Sequence, residues 1–268
     1  MVFPGGVKRL KDVLDTLGRQ LPQIRRDEES AASIYGASPT LEIRQQTRRL
    51  GSTFHCPICG GAYQNFLPFG VGGRRNARCP GCGSLERHRF LYLYLQDTLR
   101  WPRRRLRVLH IAPEPCIRAE LEPLPNIDYV CIDLFDRRAQ MHMDITRLRL
   151  RDASVDGIIC SHVLEHVSDD RSAISELFRV LKPGGRALIL VPIDMDLAVT
   201  DEDPEITLPS ERLARFGHPY HVRTCGEDYH QRIHEAGFAV DSISAKNMTP
   251  FRRRRYRINK CIIYDCRK

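Results

Sequence analysis

The chain is 268 residues long, 42% hydrophobic and 28% charged, with 18 Gly, 17 Pro and 10 Cys. There are enough apolar residues to bury one large domain, or a medium one with a smaller one attached, and the low Gly and Pro content excludes a collagen-like or low-complexity chain. The formal charge is +9, but it is unevenly placed: residues 1–105 carry 18 Lys+Arg against 8 Asp+Glu, whereas residues 106–268 carry 24 against 25. No apolar run approaches the roughly 20 residues needed to span a bilayer. The N-terminal MVFPGGVKRLKDVLDTL also lacks the apolar stretch of a secretory signal. A soluble, cytoplasmic protein with no membrane partner is expected.

In chain order, Val7, Leu10, Val13, Leu14, Leu17 and Leu21 fall on one face of a first helix. A polar linker around Asp27–Pro39 and a second short helix over Leu41–Leu50 complete an N-terminal helical segment, residues 1–51. Two C-P-x-C-G knuckles follow, Cys56-Pro57-Ile58-Cys59-Gly60 and Cys79-Pro80-Gly81-Cys82-Gly83, separated by 19 residues. Each knuckle aims two thiolates at one point, and two knuckles complete a tetrahedral sulfur site, so a structural Zn2+ on Cys56, Cys59, Cys79 and Cys82 is expected. An iron–sulfur or redox role is the minor alternative. The other six cysteines, Cys116, Cys131, Cys160, Cys225, Cys261 and Cys266, read as small buried hydrophobes. A capped helix from Ser84-Leu85-Glu86-Arg87 carries Phe90, Leu91, Leu93, Tyr94, Leu95 and Leu99 and ends at Trp101-Pro102, closing a module over 52–105.

From residue 106 short apolar runs alternate with helical stretches, the pattern of a parallel sheet covered on both faces. Strands are predicted at Leu106–Ile111, Tyr129–Ile132, Met141–Met143, Val155–Cys160, Ala187–Val191, Phe238–Ile243 and Ile258–Tyr264. Helices are predicted at Cys116–Leu124, through Ile174, Leu177, Phe178 and Leu181, and at Tyr229–Ala236. The expected fold is therefore α/β: a Rossmann-like, seven-stranded, mostly parallel sheet with helices on both faces, over 106–268, behind a small N-terminal helical and zinc-ribbon domain. Residues 193–225, irregular and polar, read as a lid-like insertion.

The succession VLHIAPEP, YVCIDL, MDITRL, VDGIICSHVLEHV, LKPGGRALILVP and HEAGF is similar to that of class I S-adenosylmethionine-dependent methyltransferases over about residues 106–266. With the cysteine module, TDEDPEIT and HVRTCGEDY added, the chain resembles a group of bacterial methyltransferases with an N-terminal zinc-binding region. The resemblance implies S-adenosylmethionine as cofactor. An acidic residue at the tip of the second strand grips ribose hydroxyls in such folds, and Asp133 stands 21 residues past Ala112. Leu134 would pack beside the adenine, and Asp144 with Ile145 matches the family's position for the adenine amino group; for both aspartates an acidic turn is the alternative. The family's glycine-rich first loop is replaced by His110-Ile111-Ala112-Pro113-Glu114-Pro115-Cys116. There Ala112 must leave room for the cofactor and Glu114 is available for its ammonium group.

Ser161 and His162 stand at the tip of the fourth strand, where open α/β sheets bind ligands. His162-Val163-Leu164-Glu165-His166 also matches an H-x-x-E-H zinc-hydrolase pattern, but its place directly after a buried strand argues against that reading. Methyl transfer needs an aligned nucleophile and, for a hydroxyl or ammonium, a base. His162 and His221 are the candidates, with Arg223 as an anchor for an anionic group. The expected reaction is methylation of a small molecule such as a natural-product intermediate, metabolite or sugar. An RNA methyltransferase using the basic zinc module, or a non-methylating protein on this fold, are the alternatives. The run Arg252–Arg255 is compatible with a solvated hairpin, a partner contact or a phosphate site.

Overall fold

The computed structural model describes residues 54–70 and 72–268. The stretch Val7–Leu21, the polar stretch to Pro39 and the helix expected over Leu41–Leu50 lie outside these residues. The cysteine module is built from two antiparallel pairs, β1 (Phe54–His55) with β2 (Ala62–Tyr63) and β3 (Leu67–Phe69) with β4 (Arg74–Arg78). Gly60 (φ +67°) and Gly83 (φ +72°) close the two knuckles in the left-handed conformation, which a residue without Cβ adopts freely. The following helix α1 (Glu86–Leu93) passes into a wide π-turn over Tyr94–Leu99 and stops at Arg100, φ +54°. It is thus shorter than the single helix expected, and Trp101–Arg103 forms a separate 3-10 turn.

Then come β5 (Leu106–Ile111), α2 (Pro115–Leu121), β6 (Ile127–Asp133), β7 (Met141–His142), β8 (Val155–Ser161), α3 (Asp170–Val180) and β9 (Leu181–Leu190). The insertion contains β10 (Asp201–Glu202), α4 (Pro209–Phe216) and β11 (Arg223–Thr224), and the chain finishes with α5 (Tyr229–Glu235), β12 (Ala239–Ser244), α6 (Pro250–Tyr256) and β13 (Ile262–Arg267). Lys182–Gly185, expected as a helix stop, lies within β9, where the pairing with β8 shifts register between Val155 and Gly157. The last strand begins four residues later than expected. The arginine run is helical, held by the Thr249 hydroxyl at its N-terminus.

The sheet order is β12-β13-β9-β8-β5-β6-β7, with β13 alone running against its neighbours. Side chains alternate along a strand, so the central strands feed two cores. Val108, Ile159, Leu188 and Leu190 face one that also contains Cys56, Phe66, Phe90, Leu91 and Ile117, from the cysteine module, α1 and α2. Leu109, Ile158, Cys160, Ala187 and Ile189 face the other, against Ile174, Leu177 and Ile233 of α3 and α5. Burial on both faces explains the uninterrupted apolar runs in the sequence. The sole tryptophan, Trp101, packs on the first face where Gly157 has no side chain; a Cβ there would come within 2.6 Å of its ring. Of the six remaining cysteines, Cys116, Cys131, Cys160, Cys225 and Cys266 are buried and Cys261 is half-buried.

The module is fastened by one side chain. Arg89 is wholly buried and donates to the carbonyls of Ala77 (3.1 Å), Ser84 (2.5 Å), Tyr256 (2.7 Å) and Arg257 (2.8 Å), with its guanidinium stacked over Phe66. Replacing Arg89 by Met leaves four carbonyls without these donors, two of them across the chain. The expected loss is at least about 3 kcal/mol of unfolding free energy, read from urea denaturation; a loss below about 1 kcal/mol would contradict this role.

Candidate functional site

In the module the four sulfurs converge. Cys56 Sγ lies 3.5 Å from Cys82 Sγ and Cys59 Sγ 3.7 Å from Cys79 Sγ, and all four lie within 4.8 Å of one another. Four sulfurs about 2.3 Å from a central ion would form a tetrahedron with edges of about 3.8 Å. The Ser84 hydroxyl sits 3.3 Å from Cys56 and 3.2 Å from Cys82, close to the sulfurs instead of capping α1. The α1 start is satisfied by His88 Nδ1, which accepts the Leu85 N–H at 3.2 Å.

That bond decides the direction of His88, whose Nε2–H points into the first loop of the sheet, 3.4 Å from Glu114 Oε1. The second carboxylate oxygen lies 2.9 Å from His110 Nε2, and His110 Nδ1 lies 2.8 Å from the Tyr129 hydroxyl. An ionised carboxylate only accepts, so His110 donates through Nε2 and takes the Tyr129 proton on Nδ1. Burial opposes the charge on Glu114, but His88 and His110 outweigh it and hold its carboxyl well below the usual carboxylate range. Burial pushes His88 down to about 3, so it stays neutral beside Glu114. Glu114 Oε1 and Ser161 Oγ are buried and neither completes a hydrogen bond, the His88 Nε2 approach to Oε1 at 3.4 Å being an electrostatic contact only. They sit at the tips of β5 and β8, where strand order reverses and ligands enter such sheets. In place of the glycine turn, Ala112 takes φ +47°, strained for a residue with a Cβ, and is held by its N–H to Ile132 O at 2.8 Å.

At the next strand tip, Asp133 Oδ1 accepts the N–H groups of Phe135 (2.7 Å) and Asp136 (2.8 Å). Its other oxygen has none of these bonds to serve, so the turn role and a diol-binding role are compatible. Leu134 is exposed and so is Phe135, a neighbour the motif reading passed over although an apolar pair beside an acidic strand tip is the signal for a ring-binding surface. Asp144 Oδ1 accepts from the Thr146 N–H and hydroxyl, both at 2.8 Å, and Ile145 is buried.

His162 follows Ser161 and turns the other way, with φ +55°. It lines a cavity of about 660 Å³ at the ends of β8 and β9, with Ile193 and Asp194 of the insertion, Glu86 and Arg87 of α1, Lys246 and Arg253 around it. Its Nδ1 lies 3.1 Å from Glu165 Oε1, and Glu165 is fully buried. Burial lowers the pKa of His162 and keeps the ring neutral, whereas Glu165, despite burial, is held ionised by His162 and His166.

The other two catalytic candidates stand elsewhere. His221 does not line the cavity; its ring meets His166 (4.7 Å between centroids) and His218 (4.5 Å). Burial is the main cause that pushes His221 down to about 4. Arg223 corrects the expectation of an anion anchor. It is buried and its donors are used on Glu202, on the carbonyls of Leu164, Val167 and Ser168, and beside Asp170. With Arg232 bridging Asp170 and Glu202, it ties the insertion to the body. The H-x-x-E-H reading also finds no support, because His162 directly follows β8, His166 lies in a separate 3-10 turn, Leu164–His166, and the two histidines do not share a ligand cluster.

Residues 109–189, from β5 to β9, match the protein family described as "Methyltransferase domain". That stretch is similar to a methyltransferase domain. Among curated proteins it is 31% identical over 101 residues to one of Mycolicibacterium smegmatis named "Probable S-adenosylmethionine-dependent methyltransferase", covering 37% of this chain and 35% of that one. It is 35% identical over 95 residues to O-methyltransferase rstn1 of Aspergillus nomiae, covering 35% and 38%. The chain thus spans about a third of the length of the curated relatives it matches. A solved SAM-dependent methyltransferase of Archaeoglobus fulgidus aligns over 67% of this chain and 93% of that one, with 15% identity and a TM-score of 0.46.

The region matched by that family carries His110 and Glu114 in its first loop, and their partner His88 comes from the cysteine module, a pairing no local motif announces. Two outcomes follow. Since His88 is at about 3 in the fold and about 6.5 unfolded, the unfolded chain binds the extra proton between these values. Its contribution to stability is complete above pH about 6.5 and is lost as pH falls toward 3, at up to about 1.4 kcal/mol per pH unit. His88→Gln should flatten the stability profile between pH 6.5 and 4 relative to wild type; parallel profiles would refute a neutral buried His88. Arg223→Gln should cost about 3–5 kcal/mol of stability, and a normally stable variant with only a raised KM would restore the anchor role.

Proposed function

We propose that this chain transfers a methyl group from S-adenosylmethionine to a small-molecule acceptor, a metabolite, natural-product intermediate or sugar, held in the cavity beside His162. When bound, S-adenosylmethionine supplies an electrophilic methyl carbon. The observation that carries the reading is the adjacency of Ser161 and His162: one faces the Glu114 side of the strand tips, and the next lines the cavity. Glu114, with Ser161 beside it, would receive the ammonium group, Asp133 the ribose diol, Leu134 the adenine face, and Asp144 with the backbone of Ile145 its amino edge. Glu114 Oε1 supports this fit, because its only near donor, His88 Nε2 at 3.4 Å, completes no hydrogen bond and a ligand ammonium could.

The cavity volume lies within the usual range for small-molecule sites. Arg87, Lys246, Arg253 and Lys260 on its wall favour an acceptor carrying an anionic group. His162, neutral and with Nδ1 turned to Glu165, keeps Nε2 as the base for an acceptor hydroxyl, the arrangement by which a carboxylate fixes a catalytic imidazole. The insertion supplies Ile193 to Asp196 to the wall and would limit water at the reacting atoms. A structural zinc ion on Cys56, Cys59, Cys79 and Cys82 would fix the start of α1, and through it the position of Arg87 and His88.

Calorimetry should show binding of both S-adenosylmethionine and S-adenosylhomocysteine. Asp133→Ala should weaken both by tenfold or more with an unchanged melting temperature, and His162→Ala should lower kcat by about 10²–10⁴-fold with cofactor affinity intact. If neither compound binds at millimolar concentration, the proposal fails.

A further inference from the structure

His166, His218 and His221 come from two segments 52 residues apart, yet their ligand nitrogens all lie within 4.8 Å of one another. The His166 ring meets the other two at steep angles, 78° to His221 and 80° to His218, while His218 and His221 lie closer to parallel at 32°. The segments are locked together by the Val222 N–H donating to Glu165 O at 2.9 Å. His166 Nδ1 donates to the Tyr220 carbonyl at 3.0 Å, which leaves Nε2 as its lone-pair nitrogen. A carbonyl behind one ring nitrogen is the usual support for a metal-binding imidazole. His218 Nδ1 receives only a long 3.3 Å contact from the Tyr220 N–H, which an ion would replace.

A second observation points the same way. Glu165, between the strand tip and His166, is fully buried, and only its Oε1 has a near polar neighbour, His162 Nδ1 at 3.1 Å. A buried carboxylate next in sequence to one of three clustered imidazoles favours a cation at that cluster.

We propose that His166, His218 and His221 form a second metal site, separate from the four cysteines, for a divalent ion of the zinc, cobalt or nickel type. Imidazole donors select such ions over magnesium or calcium, which prefer oxygen. Nitrogens about 2.1 Å from a tetrahedral ion stand about 3.4 Å apart, so the rings need only close inward, and two of them are on a half-exposed surface. Three protein ligands leave a coordination position open for water or an oxygen-bearing ligand, the pattern of reactive rather than structural zinc sites. Glu165 offsets one of the two charges.

This inference does not depend on methyl transfer, and its test reads metal. The full chain, equilibrated with zinc or cobalt at micromolar free ion and freed of excess, is expected to hold two ions by elemental analysis. A weak chelator should strip one, leaving the tetrathiolate ion, and the cobalt spectrum should then lose its nitrogen-ligand component while keeping its sulfur-to-cobalt bands. His218→Ala and His221→Ala, separately and together, should hold one ion and melt within a few degrees of the metal-stripped wild type. His166→Gln serves as a third variant that keeps a polar side chain. One ion per wild-type chain, or two in the double variant, would overturn the proposal.

Discussion

The buried guanidinium of Arg89 is the contact on which the rest of the arrangement hangs. It spans the second knuckle on one side and the end of α6 on the other, so it fixes the rotation of α1 about its axis. Four consecutive residues of that helix then serve four directions. Glu86 meets Arg74 and Asn259, Arg87 faces the cavity, His88 reaches Glu114, and Arg89 holds the frame. A cysteine module joined in this way forms a wall of the cavity and a support for the first loop, rather than a loosely appended unit. Among the described residues, three arginines of the module are engaged within the fold: Arg74 with Glu86, Arg89 with carbonyls, and Arg87 at the cavity.

Legibility in the sequence followed the range of the interactions. The knuckles were readable because their ligands are set by local turns, and the sheet because strands buried on both faces must be apolar throughout, as in Ile158–Cys160 and Ala187–Leu190. The strand tips Asp133 and Ser161 were readable for the same reason, since a polar residue ending such a run is placed by the run itself. What depends on distant partners was not. Arg223 carries the chemistry of an anion anchor, and only its placement against three carbonyls and Glu202 shows those donors consumed. His88 reads as one more polar residue on a helix until α1 is laid against Glu114. His166, His218 and His221 meet only when the insertion folds back over the tip of β8.

The first loop shows how a missing motif is replaced by a network. Glycines allow close approach because they lack side chains; here a strained Ala112 makes the turn, while His110 and His88 brace the acid that follows it. The bracing extends to Tyr129 on the neighbouring strand, so the geometry of this loop is shared among three segments. A loop of this kind gains rigidity from the body around it and not from its own backbone.

The strand order has a kinetic side. β13 lies inside the sheet, between β12 and β9, although it is synthesised after every other strand. Arg89 likewise waits for Tyr256 and Arg257, partners 167 and 168 residues away. Until those residues emerge, the apolar flank of β9 is an open edge and α1 has half its anchorage. Pairings of such long sequence separation fold slowly and leave unpaired edges exposed. The four cysteines, by contrast, can gather within 27 residues. The nascent protein is thus expected to hold a preformed cysteine knot beside an unfinished sheet, making this stage, rather than the finished fold, its point of greatest exposure to aggregation.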